Sequence, residues 1–121
     1  MKAIRLALCL TAVLYAALAI PARAQQQVTF PSGDGTAQAL LYLPQGNGPH
    51  PAIVVIHEWW GLNDWVKEQA VKFAQQGYVA LAVDLYRGKV ADNPETAHEL
   101  MRGLHPAPGV RALVAAVPYP L

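Results

Sequence analysis

Two short stretches hold most of the side chains able to do chemistry: His57-Glu58-Trp59-Trp60-Gly61 and Asp84-Leu85-Tyr86-Arg87-Gly88. Each follows an apolar run and each closes on glycine. Together they offer two carboxylates, three aromatic rings, a histidine and an arginine, the ingredients of a small polar pocket with hydrophobic walls. Glu58 is the candidate carboxylate, and Trp59, Trp60, Tyr86 and Arg87 are its candidate surroundings. His57 reads as a structural histidine satisfied within the fold. Trp59 and Trp60 suit core and pocket wall as well as a specific clamp, and Asp84 and Tyr86 also suit a plain strand end. His57-Glu58 opens like a His-Glu-x-x-His zinc motif, but position 61 is Gly and the segment reads as strand, so metal is not implied.

A nucleophile is missing from this inventory. No Gly-x-Ser-x-Gly or Gly-x-Cys-x-Gly follows the loop; Ser32 is the only serine and Cys9 the only cysteine. His105 stands in a proline-rich stretch with no partner near it in sequence.

The positions of the two stretches depend on the runs before them. Ala52 to Ile56 is continuously apolar and mostly β-branched, the pattern of a parallel strand covered on both faces. Tyr78 to Val83 is a second such run. Between them the spacing predicts a helix capped by Asn63 or Asp64, with Val66, Ala70, Phe73 and Ala74 on its apolar face and Gly77 at its end. Strand, helix and strand make one βαβ unit, and in open α/β sheets ligands bind beyond the carboxyl ends of such strands. Upstream, Val28 to Phe30 and Thr36 to Leu43 read as a hairpin turning at Asp34-Gly35. Pro44 to Pro51 holds three prolines and two glycines and reads as a loop. Downstream, Asn93 caps a helix with Pro94 at its first position, and Ala97, Leu100, Met101 and Leu104 fall at helical spacing. From residue 105 to 121 the pattern decays into a Pro-rich, divergent tail, in which Ala112 to Val117 suits either a helix or a buried strand.

The chain has 121 residues, is 54% hydrophobic and only 14% charged. Part of that apolar weight is N-terminal. Lys2 and Arg5 precede fifteen uncharged residues, Leu6 to Ile20, and Ala22-Arg23-Ala24 follows. This describes a secretory signal peptide (residues 1–24) cut after Ala24. The apolar run is short of the roughly 20 residues that span a bilayer, so no stable membrane anchor is expected after cleavage. The product is expected in the periplasm or outside a bacterial cell. Cleavage removes Cys9 and three of the nine basic residues, leaving six against eight acidic ones. No basic stripe is left for nucleic acid.

From Val28 to about Leu104 the chain resembles the dienelactone hydrolase family of α/β-hydrolases. The resemblance rests on the hairpin start, on Ile53 to Leu62 with its His57-Glu58-Trp59-Trp60-Gly61 loop, and on Tyr78 to Tyr86 ending in Asp84-Leu85-Tyr86. It implies an α/β fold, here incomplete: an N-terminal β-hairpin, a βαβ unit and a mostly parallel sheet whose C-terminal strands are missing. Residues 25–104 would be the N-terminal part of that domain.

The family hydrolyses esters and lactones with a cysteine or serine nucleophile, an aspartate and a histidine, and needs no cofactor. By the resemblance, Glu58 is the carboxylate that manages the nucleophile's proton, and the Trp59 backbone N–H supplies half of an oxyanion hole. Trp60, Tyr86 and Arg87 would contact substrate, Arg87 through a substrate carboxylate. The triad should follow in the order nucleophile, Asp, His, and no residue here fills any of the three places. The reading is therefore a carboxylic ester or lactone hydrolase of this type, with a small-molecule substrate, whose chain is inactive alone. The alternative is a non-catalytic secreted remnant or binding module derived from that fold. With later strands missing, the strand after Tyr78 is expected to have an open side, which predicts marginal stability and poor solubility.

Overall fold

The computed structural model describes residues 25–33 and 35–118. The signal peptide read at residues 1–24 and Asp34 of the hairpin turn lie outside the described residues. Four strands and three helices follow in order: β1 (Gln26–Ser32), β2 (Gly35–Tyr42), β3 (Ala52–Ile56), α1 (Asp64–Gln75), β4 (Val79–Asp84), α2 (Pro94–Gly103) and α3 (Pro106–Ala116). The strands lie in one sheet ordered β1-β2-β4-β3. β3 and β4 pair in parallel, whereas β1–β2 and β2–β4 are antiparallel. In these four strands the sheet is mixed rather than mostly parallel: the hairpin pairs antiparallel within itself, its second strand docks antiparallel on β4, and the βαβ unit contributes a single parallel pair.

The hairpin turns one residue earlier than its sequence suggests. Ser32 is already paired with Gly35, so the chain reverses between these two residues. Gly33 supplies the left-handed backbone with φ +61°, and a Cβ there would strike Arg111 Nε at 2.7 Å.

Alternation along the strands splits the core into two layers. Ala37, Ala39 and Leu41 of β2 and Val79, Leu81 and Val83 of β4 pack on one face with Phe30 and Ala116. Tyr42, Ala80 and Ala82 point to the other face, where they meet Val66, Ala70 and Ala74 of α1. The sheet thus lies between α1 and α3. β4 is one of the two inner strands and is buried along five of its six residues.

Helix α1 begins where its chemistry predicts. The Asn63 side chain accepts the Val66 N–H at 3.1 Å. It ends in a Schellman motif: Tyr78 N–H reaches Phe73 C=O, Gly77 N–H reaches Ala74 C=O, and Gly77 has φ +94°. Phe73 does not join the buried face, as its spacing suggested. It is 36% exposed, and its ring meets Tyr78 edge-on with centroids 6.3 Å apart, the apolar contact that accompanies this cap.

Helix α2 opens with Asn93 accepting the Thr96 N–H at 2.9 Å and Pro94 in its first turn. Its expected stripe is only partly buried: Ala97 is inside, Leu100 and Leu104 are half-buried, and Met101 is exposed. Helix α3 settles the reading of Ala112 to Val117 as helix. Pro106 and Pro108 fall in its first turn, where no intrahelical N–H is required of them, so they start the helix instead of breaking it.

The largest departure concerns the sheet edge. Among the described residues the open side belongs to β3, not to the strand after Tyr78: β4 is paired on both sides, and β3 pairs there with β4 alone. Accordingly β3 is not covered on both faces; its ends are exposed and Ile56 is 56% accessible.

Candidate active site

Two loops leave the carboxyl ends of the adjacent parallel strands β3 and β4, and backbone bonds tie them together. Glu58 C=O accepts the Gly61 N–H at 3.1 Å, folding residues 58–61 into a turn. Trp60 C=O accepts the Ala91 N–H at 2.9 Å, and Gly61 forms an antiparallel bridge with Val90. Gly61 has φ +89°, and a Cβ on it would lie 2.6 Å from Lys89 O and 3.1 Å from the Tyr86 ring. No other residue type fits both that backbone and that contact. Gly61 C=O then accepts the Asn63 N–H at 2.8 Å, which hands the turn directly to the α1 cap.

His57 is the rivet. It is buried; its Nε2 accepts the Leu85 N–H at 3.1 Å and its Nδ1 lies 2.7 Å from Glu58 O. An acceptor at Nε2 and a carbonyl at Nδ1 together require the neutral tautomer protonated on Nδ1. Its ring also meets Tyr86 at 4.7 Å, edge-on. Both nitrogens are committed, so His57 is a structural histidine. Among the described residues no three His, Cys, Asp or Glu gather as a metal cluster would.

The second loop is held by Asp84, whose two carboxylate oxygens accept the Tyr86 N–H at 3.1 Å and the Gly88 N–H at 2.6 Å. Between them Arg87 adopts φ +54°, a left-handed backbone uncommon outside glycine and sustained by the bonds on either side. Tyr86 is buried, and desolvation pushes its phenol above the ordinary value.

These constraints leave the Glu58 side chain exposed. The Trp59 backbone N–H finds no acceptor among the described residues. The Trp59 ring, half-buried, is wedged between Trp60 at 4.9 Å and His98 of α2 at 5.0 Å. The site residues separate into two groups. Glu58, Trp59 and Trp60 sit on one loop. Tyr86 and Arg87 line a groove of about 660 Å³ with Lys89 and Arg111, which none of the first group lines. His98 was invisible in the sequence, since a lone histidine on a helix carries no motif; only the packing of α2 brings it to Trp59.

A helix-flanked mixed sheet with a pinned loop after its first parallel strand is the front of an α/β-hydrolase. The match of residues 37–118 to the model of the dienelactone hydrolase family places this chain in that family. Protein usf of Aquifex pyrophilus is 43% identical over 79 residues, covering 63% of this chain and 33% of that protein. "Putative carboxymethylenebutenolidase" of Aquifex aeolicus is 40% identical over the same shares. The solved structure m3DLH superposes with a TM-score of 0.64 at 31% identity, over 80% of this chain and 44% of that one. The chain spans about a third of the length of these two curated relatives.

Proposed function

We propose that this chain supplies the oxyanion-side half of a carboxylic ester or lactone hydrolase site. The carrying observation is the Trp59 amide: a backbone donor with no acceptor among the described residues, at a loop tip held by His57, Gly61 and Ala91. A donor fixed in advance spends no reorganisation when an oxyanion develops. Glu58 manages the proton of the attacking nucleophile; Trp60 contacts a small ester or lactone from the same loop, and Tyr86 and Arg87 contact it from the separate groove they line. Acyl transfer would run through a covalent acyl-enzyme, then water attack. The nucleophile, the acid and the triad histidine belong to sequence beyond these residues, and the chain alone is inactive. Residues 1–24 direct export and are removed.

The test is to sequence the gene through its stop codon and translate about 400 further bases in all frames, a span suited to the rest of an α/β domain. A Gly-x-Cys-x-Gly or Gly-x-Ser-x-Gly with later Asp and His supports the reading, and nothing in any frame rejects it. Turnover of a nitrophenyl ester by the 121-residue chain alone, abolished by Glu58→Gln, would overturn the inactive half. N-terminal sequencing of exported protein should begin at Gln25.

A further inference from the structure

The cut read after Ala24 makes a glutamine the first residue, and the fold sets a donor against that glutamine's side chain. Gln26 opens β1 and pairs with Leu41, so Gln25 stands beside Tyr42, the last residue of β2. Tyr42 is 3% exposed, and its hydroxyl donates to Gln25 Oε1 at 3.0 Å. Burial pushes the Tyr42 phenol above its ordinary value, with a smaller push from Asp64, so the hydroxyl keeps the proton it donates. Gln25 itself is exposed. The contact belongs to the hairpin; β3 lies beyond β4 and takes no part in it.

We infer that Gln25 is a modification site: once it is the N-terminus, its own α-amine closes on its side chain to give pyroglutamate, with Tyr42 as the hydrogen-bond donor to the reacting carbonyl. This rests on the export reading and is independent of the hydrolase one. An α-amine loses its proton at about 7.7–8.0, so the neutral nucleophile is present near neutrality. Its nitrogen attacks Cδ of the same residue, and the charge that develops falls on Oε1. The intermediate collapses by breaking the bond from Cδ to Nε2. Ammonia leaves with a proton taken from the attacking amine, and nothing else is consumed. Attack within one residue supplies proximity without a binding step. The Tyr42 hydroxyl is already aimed at the oxygen that becomes the oxyanion, the arrangement that accelerates acyl transfer. That oxygen survives as the lactam carbonyl, so one hydrogen bond serves the reactant, the oxyanion and the product.

The experiment expresses the full chain in a bacterial host, collects the exported product early and cold, and follows its N-terminal peptide by mass spectrometry during warm incubation. The peptide should begin at residue 25 and lose the mass of one ammonia. The loss should run roughly tenfold faster in the folded chain than in the same chain unfolded by urea, since a preorganised donor to an oxyanion is worth at least that. Tyr42→Phe should fall to the urea rate with its circular dichroism unchanged; should that variant not fold, the urea comparison carries the test. A product beginning at any other residue overturns the cleavage reading and this inference with it. A product that begins at Gln25 and keeps its ammonia overturns this inference alone. Equal rates in the folded, unfolded and Tyr42→Phe chains would remove Tyr42 from the reaction and overturn its assignment.

Discussion

His57 Nε2 accepts the backbone N–H of Leu85 across 28 residues of chain, at 3.1 Å. The bond joins the loop after β3 to the loop after β4, with the imidazole as the only side chain in the link. His57→Ala leaves the Leu85 N–H without its acceptor and takes one of two donors from the Glu58 carbonyl, which keeps the Gly61 N–H. Losing both bonds at a largely buried site should cost about 2–3 kcal/mol. Urea unfolding would show a lower midpoint with an unchanged slope.

Gly61 and Gly77 share a left-handed backbone but differ in what surrounds them. Alanine at 77 meets nothing within 4 Å and should cost only the backbone term of about 1–2 kcal/mol. Alanine at 61 adds the collision with Lys89 O, for a total of about 2–4 kcal/mol. Thermal unfolding of the two variants side by side should rank them in that order, and equal losses would mean that the loop clamp yields easily.

Asn63 caps α1 directly after the turn that Glu58 opens. Asn63→Ala should cost about 1 kcal/mol, and hydrogen exchange should quicken in the first turn of α1 while β4 stays protected. Uniform quickening would show that α1 and the sheet open as one unit.

Among the described residues, Tyr42 and Tyr86 have phenols raised above 10 by burial, Tyr42 with a smaller push from the Asp64 carboxylate. The fold therefore favours their neutral form. Their contribution is intact below the ordinary tyrosine value and is lost as pH climbs through the raised ones. An absorbance titration should show late phenolate formation for two residues, and urea stability should fall over that alkaline window. Tyr86→Phe should remove one of the two contributions to the fall.

Much of this architecture is legible in the residues, and the failures share a cause. Asn63, Gly77 and Asn93 act through bonds to their immediate neighbours, so local spacing finds them. β3 reads as an inner strand and stands at the edge of the four described strands, because an apolar β-branched run reads the same at the centre of a sheet and at its edge; only strand order separates the two. Helix α3 was obscured because proline counts against a helix everywhere except its first turn, and the start of that turn is set by packing on β1 and β4. Phe73 fits the helical stripe, yet the Schellman cap claims it. At the site, Glu58, Trp59 and Trp60 fall together as their adjacency requires. The Trp59–His98 contact and the separate groove of Arg87 arise from tertiary packing that no spacing encodes.

The collision partner at position 61 is a main-chain oxygen, and that has a genetic consequence. Damage from a side-chain clash can be repaired by a second-site substitution that trims the neighbour, whereas an oxygen present in every amino acid cannot be trimmed. Revertants of a Gly61 variant should therefore restore glycine itself or alter the length of the segment 85–91. Searches for compensating substitutions at Lys89 should come back empty.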